Sequence, residues 1–118
     1  MKTILKTTAI LILMVSCVQK SYKRVVVVTL NVSKVKNIQS VGIRGEGKPL
    51  SWETDYPMQE VVKDSLYKAV ITTNTGYLFM EGKCTVNSNF ELQNKPNRRI
   101  IFDTKKDTTF INLVFDKE

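Results

Sequence analysis

Apolar residues between Arg24 and Phe115 recur in short runs and at alternate positions, and nowhere at the three-to-four spacing that marks an amphipathic helix. The valine-rich run Arg24 to Val32 is the clearest strand, because β-branched side chains suit a pleated surface. A second strand is predicted from Ile38 to Arg44, with Val41 and Ile43 on one face, ended by Gly45, Gly47 and Pro49. The stretch Gly45 to Met58 reads as a long loop with at most a brief extended piece. Leu66 to Thr73 alternates, which puts Tyr67, Ala69 and Ile71 on one side. Asn74-Thr75-Gly76 supplies turn chemistry, and Tyr77 to Val86 is expected to return as a hairpin partner. Along it Leu78, Met80, Cys84 and Val86 share one face; Tyr77, Phe79, Glu81 and Lys83 share the other. Asn87-Ser88-Asn89 turns the chain into a short strand from Phe90 to Gln93. After the loop 94–97 around Pro96, strands from Arg98 to Asp103 and from Thr108 to Phe115 complete the series. About seven strands with turn signals between them predict an all-β, antiparallel β-sandwich.

The first residues follow another pattern. Lys2 and Lys6 make a basic start, Ala9 to Val15 an apolar middle, and Ser16 places a small side chain before Cys17. This is the layout of an export signal. Its apolar stretch is about a third of the roughly 20 residues that cross a bilayer as a helix. The segment Met14-Val15-Ser16-Cys17 resembles the lipobox of bacterial lipoproteins, with Met14 where Leu is commonest. That resemblance implies removal of residues 1–16, acylation of Cys17, a lipidated tether over residues 17–23, and a domain from residue 24 to 118. The other reading is an ordinary secretory signal cut near Ser16, with Cys17 a free thiol. An acylated Cys17 makes the membrane a partner through the lipid and leaves the folded part in water. Val18, Gln19 and Lys20 carry no acidic cluster of the kind some lipoproteins use for surface export. The expected location is therefore the cell envelope, at the outer membrane and facing the periplasm.

Composition narrows the rest. The 118 residues less the 16 removed leave 102, room for one domain. Loss of Lys2 and Lys6 takes the basic count from 18 to 16 against 11 acids, a net charge of +5. The positive side chains are scattered, denser only at Lys95 to Arg99, without the basic stripe and interleaved aromatics of a nucleic-acid binder. There is no histidine, which removes Ser-His-Asp chemistry and the commonest zinc ligand; no metal or cofactor is expected. Cys84, left alone once Cys17 is acylated, reads as a small buried hydrophobe rather than a nucleophile.

Three pieces of sequence carry a further resemblance: Pro49-Leu50-Ser51-Trp52, then Glu81-Gly82-Lys83, then Phe90-Glu91 followed by Asn97-Arg98. In this order they resemble the starch-binding domains, carbohydrate-binding modules of family 20 and their relatives, over Val25 to Phe115. The resemblance implies an immunoglobulin-like sandwich and a non-catalytic glycan site. Trp52 and Phe90 would take the two platform positions on which glucose rings stack, and Glu81, Lys83 and Asn97 the polar partners. The chemistry is sound, since a pyranose offers an apolar C–H face to a ring and hydroxyls to a few fixed donors and acceptors. Two departures stand out. Phe90 replaces tryptophan, and the loop from Glu91 to Asn97 is two residues longer than the commonest form.

The same residues admit a structural reading, in which Trp52 plugs a loop onto the sandwich, Phe90 joins the core and Glu91 pairs with Arg98 to fix the loop. Two functions follow from these readings. One is a lipid-anchored module that binds glucan or a related glycan. The other is an adaptor lipoprotein that holds an envelope protein through a sandwich face or edge, with Tyr56 and Tyr77 as exposed aromatics. Catalysis ranks last: Glu53 with Asp55, or Glu81 with Glu91, supply carboxylates, but such pairs are usually solvated surface.

Overall fold

The computed structural model describes residues 20–118; the signal segment and Cys17 lie outside the described residues. Among the described residues there is no helix, and nine strands form two sheets. They are β1 (Tyr22–Asn31), β2 (Val41–Gly45), β3 (Tyr56–Pro57), β4 (Gln59–Val62), β5 (Leu66–Thr75), β6 (Phe79–Val86), β7 (Asn89–Phe90), β8 (Arg98–Ile101) and β9 (Thr108–Val114). Sheet A has the order β4-β5-β1-β9. Sheet B has the order β3-β2-β6, with β7 and β8 sharing the far edge of β6.

Period-two patterning explains which faces meet. In β1, Val26, Val28 and Leu30 are wholly buried while Val25, Val27 and Thr29 are half-exposed. In β5, Tyr67, Ala69 and Ile71 point the same way. From sheet B come Val41, Ile43, Met80, Cys84, Val86 and Ile100, and the two sets make one hydrophobic core. Its buried members run from Val26 to Phe102, with Val35, Ile38, Tyr56, Ile111, Leu113 and Phe115 packed around it. The segment from Lys20 onward thus encloses its own core.

Several expectations are corrected. The count is nine strands rather than about seven. β4 has no buried residue and hence no alternation to reveal it, and β3 is only two residues long. β1 starts at Tyr22, two residues before the expected strand start at Arg24, because Tyr22 and Lys23 pair with Thr75 and Asn74. The sheets are not wholly antiparallel: β9 runs parallel to β1 from Val25↔Thr108 to Asn31↔Val114. β9 arrives from β8 in the other sheet, and that crossing delivers it beside the start of β1 without the helical connection a βαβ unit needs.

The expected hairpin of β5 with β6 does not form. β5 pairs with β1 and β4, whereas β6 pairs with β2, β7 and β8. Residues 76–78 instead cross between layers. Three extended residues reach about 10 Å, the usual spacing of packed sheets. Leu78, expected on one face with Met80, Cys84 and Val86, sits in this crossing and is exposed. By contrast Asn87 and Ser88, with φ of 53° and 63°, make a two-residue turn of the type that suits a tight hairpin between β6 and β7. The Asn87 side chain receives the amides of Gln39 and Ser40 and donates to the Asn37 carbonyl, which ties the β1–β2 crossing to that turn.

Truncating Leu30 removes a large, wholly buried side chain from the central strand of sheet A. Leu30→Ala is expected to lower stability by about 2–5 kcal/mol in urea denaturation of residues 20–118, with one cooperative transition retained.

Candidate functional site

Pairing along the far edge of β6 is interrupted between β7, which faces Thr85 and Val86, and β8, which faces Phe79 to Gly82. The gap falls at Lys83 and Cys84, and Glu91 fills it. Its amide donates to the Cys84 carbonyl (3.0 Å), and its Oε2 accepts the Cys84 amide (2.7 Å), so a side chain closes the ladder where a strand carbonyl would. Arg98 forks onto the same carboxylate through Nε (2.8 Å) and Nη2 (2.7 Å), and the Asp116 amide adds a longer bond (3.2 Å). Glu91 has no exposure to water, and these four donors compensate the cost of burying its charge. Hydrogen bonding to Glu91 in turn pushes the Arg98 guanidinium above its ordinary value.

The loop 91–97 is thereby thrown out over sheet B. Lys83 points to the outer face, opposite the core-facing Cys84, and its Nζ donates to the carbonyls of Leu92 (2.8 Å) and Lys95 (2.9 Å). Leu92 adopts φ of 49°, an uncommon conformation for a bulky side chain. It is held there by Lys83 on its carbonyl and by Asp116 Oδ1 on its amide (2.8 Å). The loop is thus fixed at both of its backbone polar groups at the strained residue.

The facing wall comes from the loop 46–55. It is pinned by the bonds from the Glu46 amide to the Glu81 carbonyl (3.1 Å) and from the Gly45 amide to the Ser51 carbonyl (3.3 Å), and by buried Leu50. Gly45 has no room for a side chain, since a Cβ would lie 2.5 Å from the Glu81 carbonyl oxygen. Arg44 organises the end of the loop. It pairs with Asp55 (2.6 Å), reaches the Trp52 carbonyl (3.4 Å), and sets its guanidinium 5.1 Å from the centre of the Phe90 ring. Asp55 also accepts from the Thr85 hydroxyl (2.9 Å).

Between these walls lies an open groove of about 570 Å³ lined by Trp52, Lys83, Phe90, Gln93, Asn94 and Asn97. Four of the five residues expected from sequence meet there: Trp52, Phe90, Lys83 and Asn97. Glu81 does not; it lines a larger cavity of about 790 Å³ that also includes Tyr77, Phe79 and Pro49. The two rings are half-buried, 6.3 Å apart and inclined by 52°, so they form a wedge rather than a flat platform. Phe90 also has Arg44 stacked on it, which leaves Trp52 as the freer ring. Lys83, expected as an open sugar partner, is buried and uses two of its three ammonium donors on the loop, leaving one. Gln93 and Asn94 were missed by sequence reasoning. Both lie in the loop between Glu91 and Asn97, which the sequence reading singled out only for its length.

The carboxylates are otherwise engaged. Glu91 is committed to Arg98, Cys84 and Asp116, and Asp55 to Arg44 and Thr85, so the Glu81–Glu91 and Glu53–Asp55 pairings place no two free acids at the groove. Cys84 is wholly buried, and burial foremost, with the nearby Glu91 charge, pushes its thiol well up. Tyr77 is exposed as expected. Tyr56 is half-buried, with its hydroxyl donating to the Val70 carbonyl (2.8 Å) just beyond the start of β4. No known family model matches the chain, and no curated protein matches its sequence.

Arg98→Ala strands a buried carboxylate and is expected to cost about 3–5 kcal/mol in urea denaturation. In a Cys17→Ser chain, Cys84 is expected to resist a thiol reagent in the folded state at neutral pH and to react fully once denaturant is added. Prompt labelling of the folded chain contradicts the burial and protonation assigned to this thiol.

Proposed function

We propose that the chain is a non-catalytic binding module of the bacterial cell envelope, held at the outer membrane by acylated Cys17 and facing the periplasm, and that its groove takes glucan or a related glycan. The domain reads as an immunoglobulin-like sandwich akin to the starch-binding domains. The observation that carries the reading is the lining of the groove: an available indole, a second inclined ring, three exposed amide side chains and one spare ammonium donor on a braced scaffold. Amides supply both a donor and an acceptor, as sugar hydroxyls require, and the indole supplies the stacking face. A wedge of two rings suits one sugar ring, or the end of a chain, better than a long flat helix of glucan. Glu81 takes no part in this site.

Titration with maltooligosaccharides while following Trp52 fluorescence is the direct test. A saturable change at millimolar sugar is expected, weakened by Asn94→Ala and Asn97→Ala. An unchanged spectrum over that range refutes glucan binding. Anchoring is checked separately by labelled palmitate, which is expected to enter the native chain and not a Cys17→Ser chain.

A further inference from the structure

The start of the domain, the β5–β6 crossing and the β8–β9 crossing come together at one end of the molecule. Tyr22 faces Thr75 across the β1–β5 ladder, and Gly76 passes so close to the Lys20 carbonyl that a Cβ would lie 2.7 Å from its oxygen. The Phe102 amide donates to the Leu78 carbonyl (2.9 Å), and the Val25 amide to that of Asp107 (3.4 Å). This end displays Tyr77 (73% exposed), Ile101 (66%), Leu78 (60%) and Tyr22 (53%), with Phe79 beside them. Large apolar side chains clustered in this way mark a contact surface.

Cations surround the cluster. Arg99 lies 4.3 Å from the centre of the Phe79 ring, and Lys105 and Lys106 occupy the β8–β9 crossing with Asp103 and Asp107. Lys20 and Lys23 lie just before and within the first residues of β1. The neighbouring cavity is lined by Lys48 as well as by Glu46 and Glu81. Arg24 has its guanidinium 5.3 Å from the Tyr22 ring and 5.7 Å from that of Phe102, has no carboxylate partner among the described residues, and leaves Nε without a hydrogen bond. The surface is thus aromatic and apolar at its centre, with basic groups in excess around it.

Chain length decides what covers it. Cys17 is three residues before Lys20, so a lipid on Cys17 holds the bilayer within about 10 Å of this end even when the tether is fully extended. We propose that this end is a second membrane contact, in which Tyr22, Tyr77, Leu78 and Phe79 seat in the headgroup layer of an anionic bilayer and the surrounding Lys and Arg side chains meet its phosphates. The proposal rests on the anchoring of Cys17 put forward above. Tyrosine favours this layer because its ring is apolar and its hydroxyl wet, and basic residues near an anionic surface add attraction. Neither half is strong alone; the lipid supplies the hold, and the patch fixes how the domain lies on the surface. β6 then leads away from the membrane. Thr85, beside the Trp52 groove, is six residues beyond Phe79, about 20 Å along the strand.

The test imposes the anchor chemically. Residues 17–118 are coupled through the Cys17 thiol to a maleimide lipid, with the buried Cys84 unreactive, in vesicles containing lipids brominated near the top of the acyl chains. In phosphatidylglycerol-containing vesicles a Tyr77→Trp reporter, with Trp52→Phe, is expected to lose emission at least about twofold, as interfacial burial requires. Trp52 in the otherwise native chain is expected to keep its emission. Quenching of the reporter should fall in phosphatidylcholine alone and with Lys105→Glu and Lys106→Glu together. An unquenched reporter on a coupled protein, or equal quenching of both tryptophans, overturns the proposal; quenching indifferent to lipid charge and to the lysine reversals overturns its electrostatic half. Because coupling does not depend on the cell, failure of palmitate labelling counts against the natural anchor, and failure of quenching counts against the patch.

Discussion

A carboxylate wholly removed from water stands where the edge of β6 loses its strand partner, and the shape of one face of the molecule follows from satisfying it. Glu91 receives donors from β6, from Arg98 at the start of β8 and from the turn after β9. Arg98 Nη2 adds bonds to the carbonyls of Val114 (2.9 Å) and Lys117 (2.7 Å). One ion pair therefore joins both sheets and the end of the chain. A buried pair of this kind is weak evidence for stability, since a well-packed apolar replacement is often as stable. Its consequence here is geometric: the chain between its two members cannot continue as strand and rises as the loop that walls the groove.

That loop shows where local sequence reading stops. β1 and β5 were legible because each has one buried and one exposed face, so alternation survives in the residue order. β4 was not, because none of its side chains is buried. The β5–β6 hairpin was misjudged for a different reason. Asn74-Thr75-Gly76 specifies a change of direction, but whether the next strand pairs with the last or crosses to another layer depends on which edges are already filled. Here β1 and β4 occupy both edges of β5.

The site was partly legible on the same terms. The resemblance singled out Trp52, Phe90, Lys83 and Asn97, which line one groove, and the pairing of Glu91 with Arg98 was among the readings open from sequence. Glu81 and Lys83 share a face by strand periodicity, yet their environments diverge within two residues. Lys83 is covered by the loop it braces, and Glu81 opens into a different cavity. Arg44 carried no sequence signal for its role. It stacks on Phe90 and holds Asp55 through contacts that join residues far apart in the chain, which no local pattern encodes.

The parallel alignment of β9 with β1 has a mechanical meaning. Because both strands run the same way, Lys20 and Glu118 leave from opposite ends of sheet A. A load applied between a fixed first residue and whatever grips the last ones would pull β1 and β9 past each other along their length. Every rung from Val25↔Thr108 to Asn31↔Val114 would then resist at once, whereas an antiparallel pair joined by a hairpin, pulled at its two open ends, yields one rung at a time. Sheet A therefore meets tension between Lys20 and Glu118 in shear, with its parallel pair loaded along its whole length.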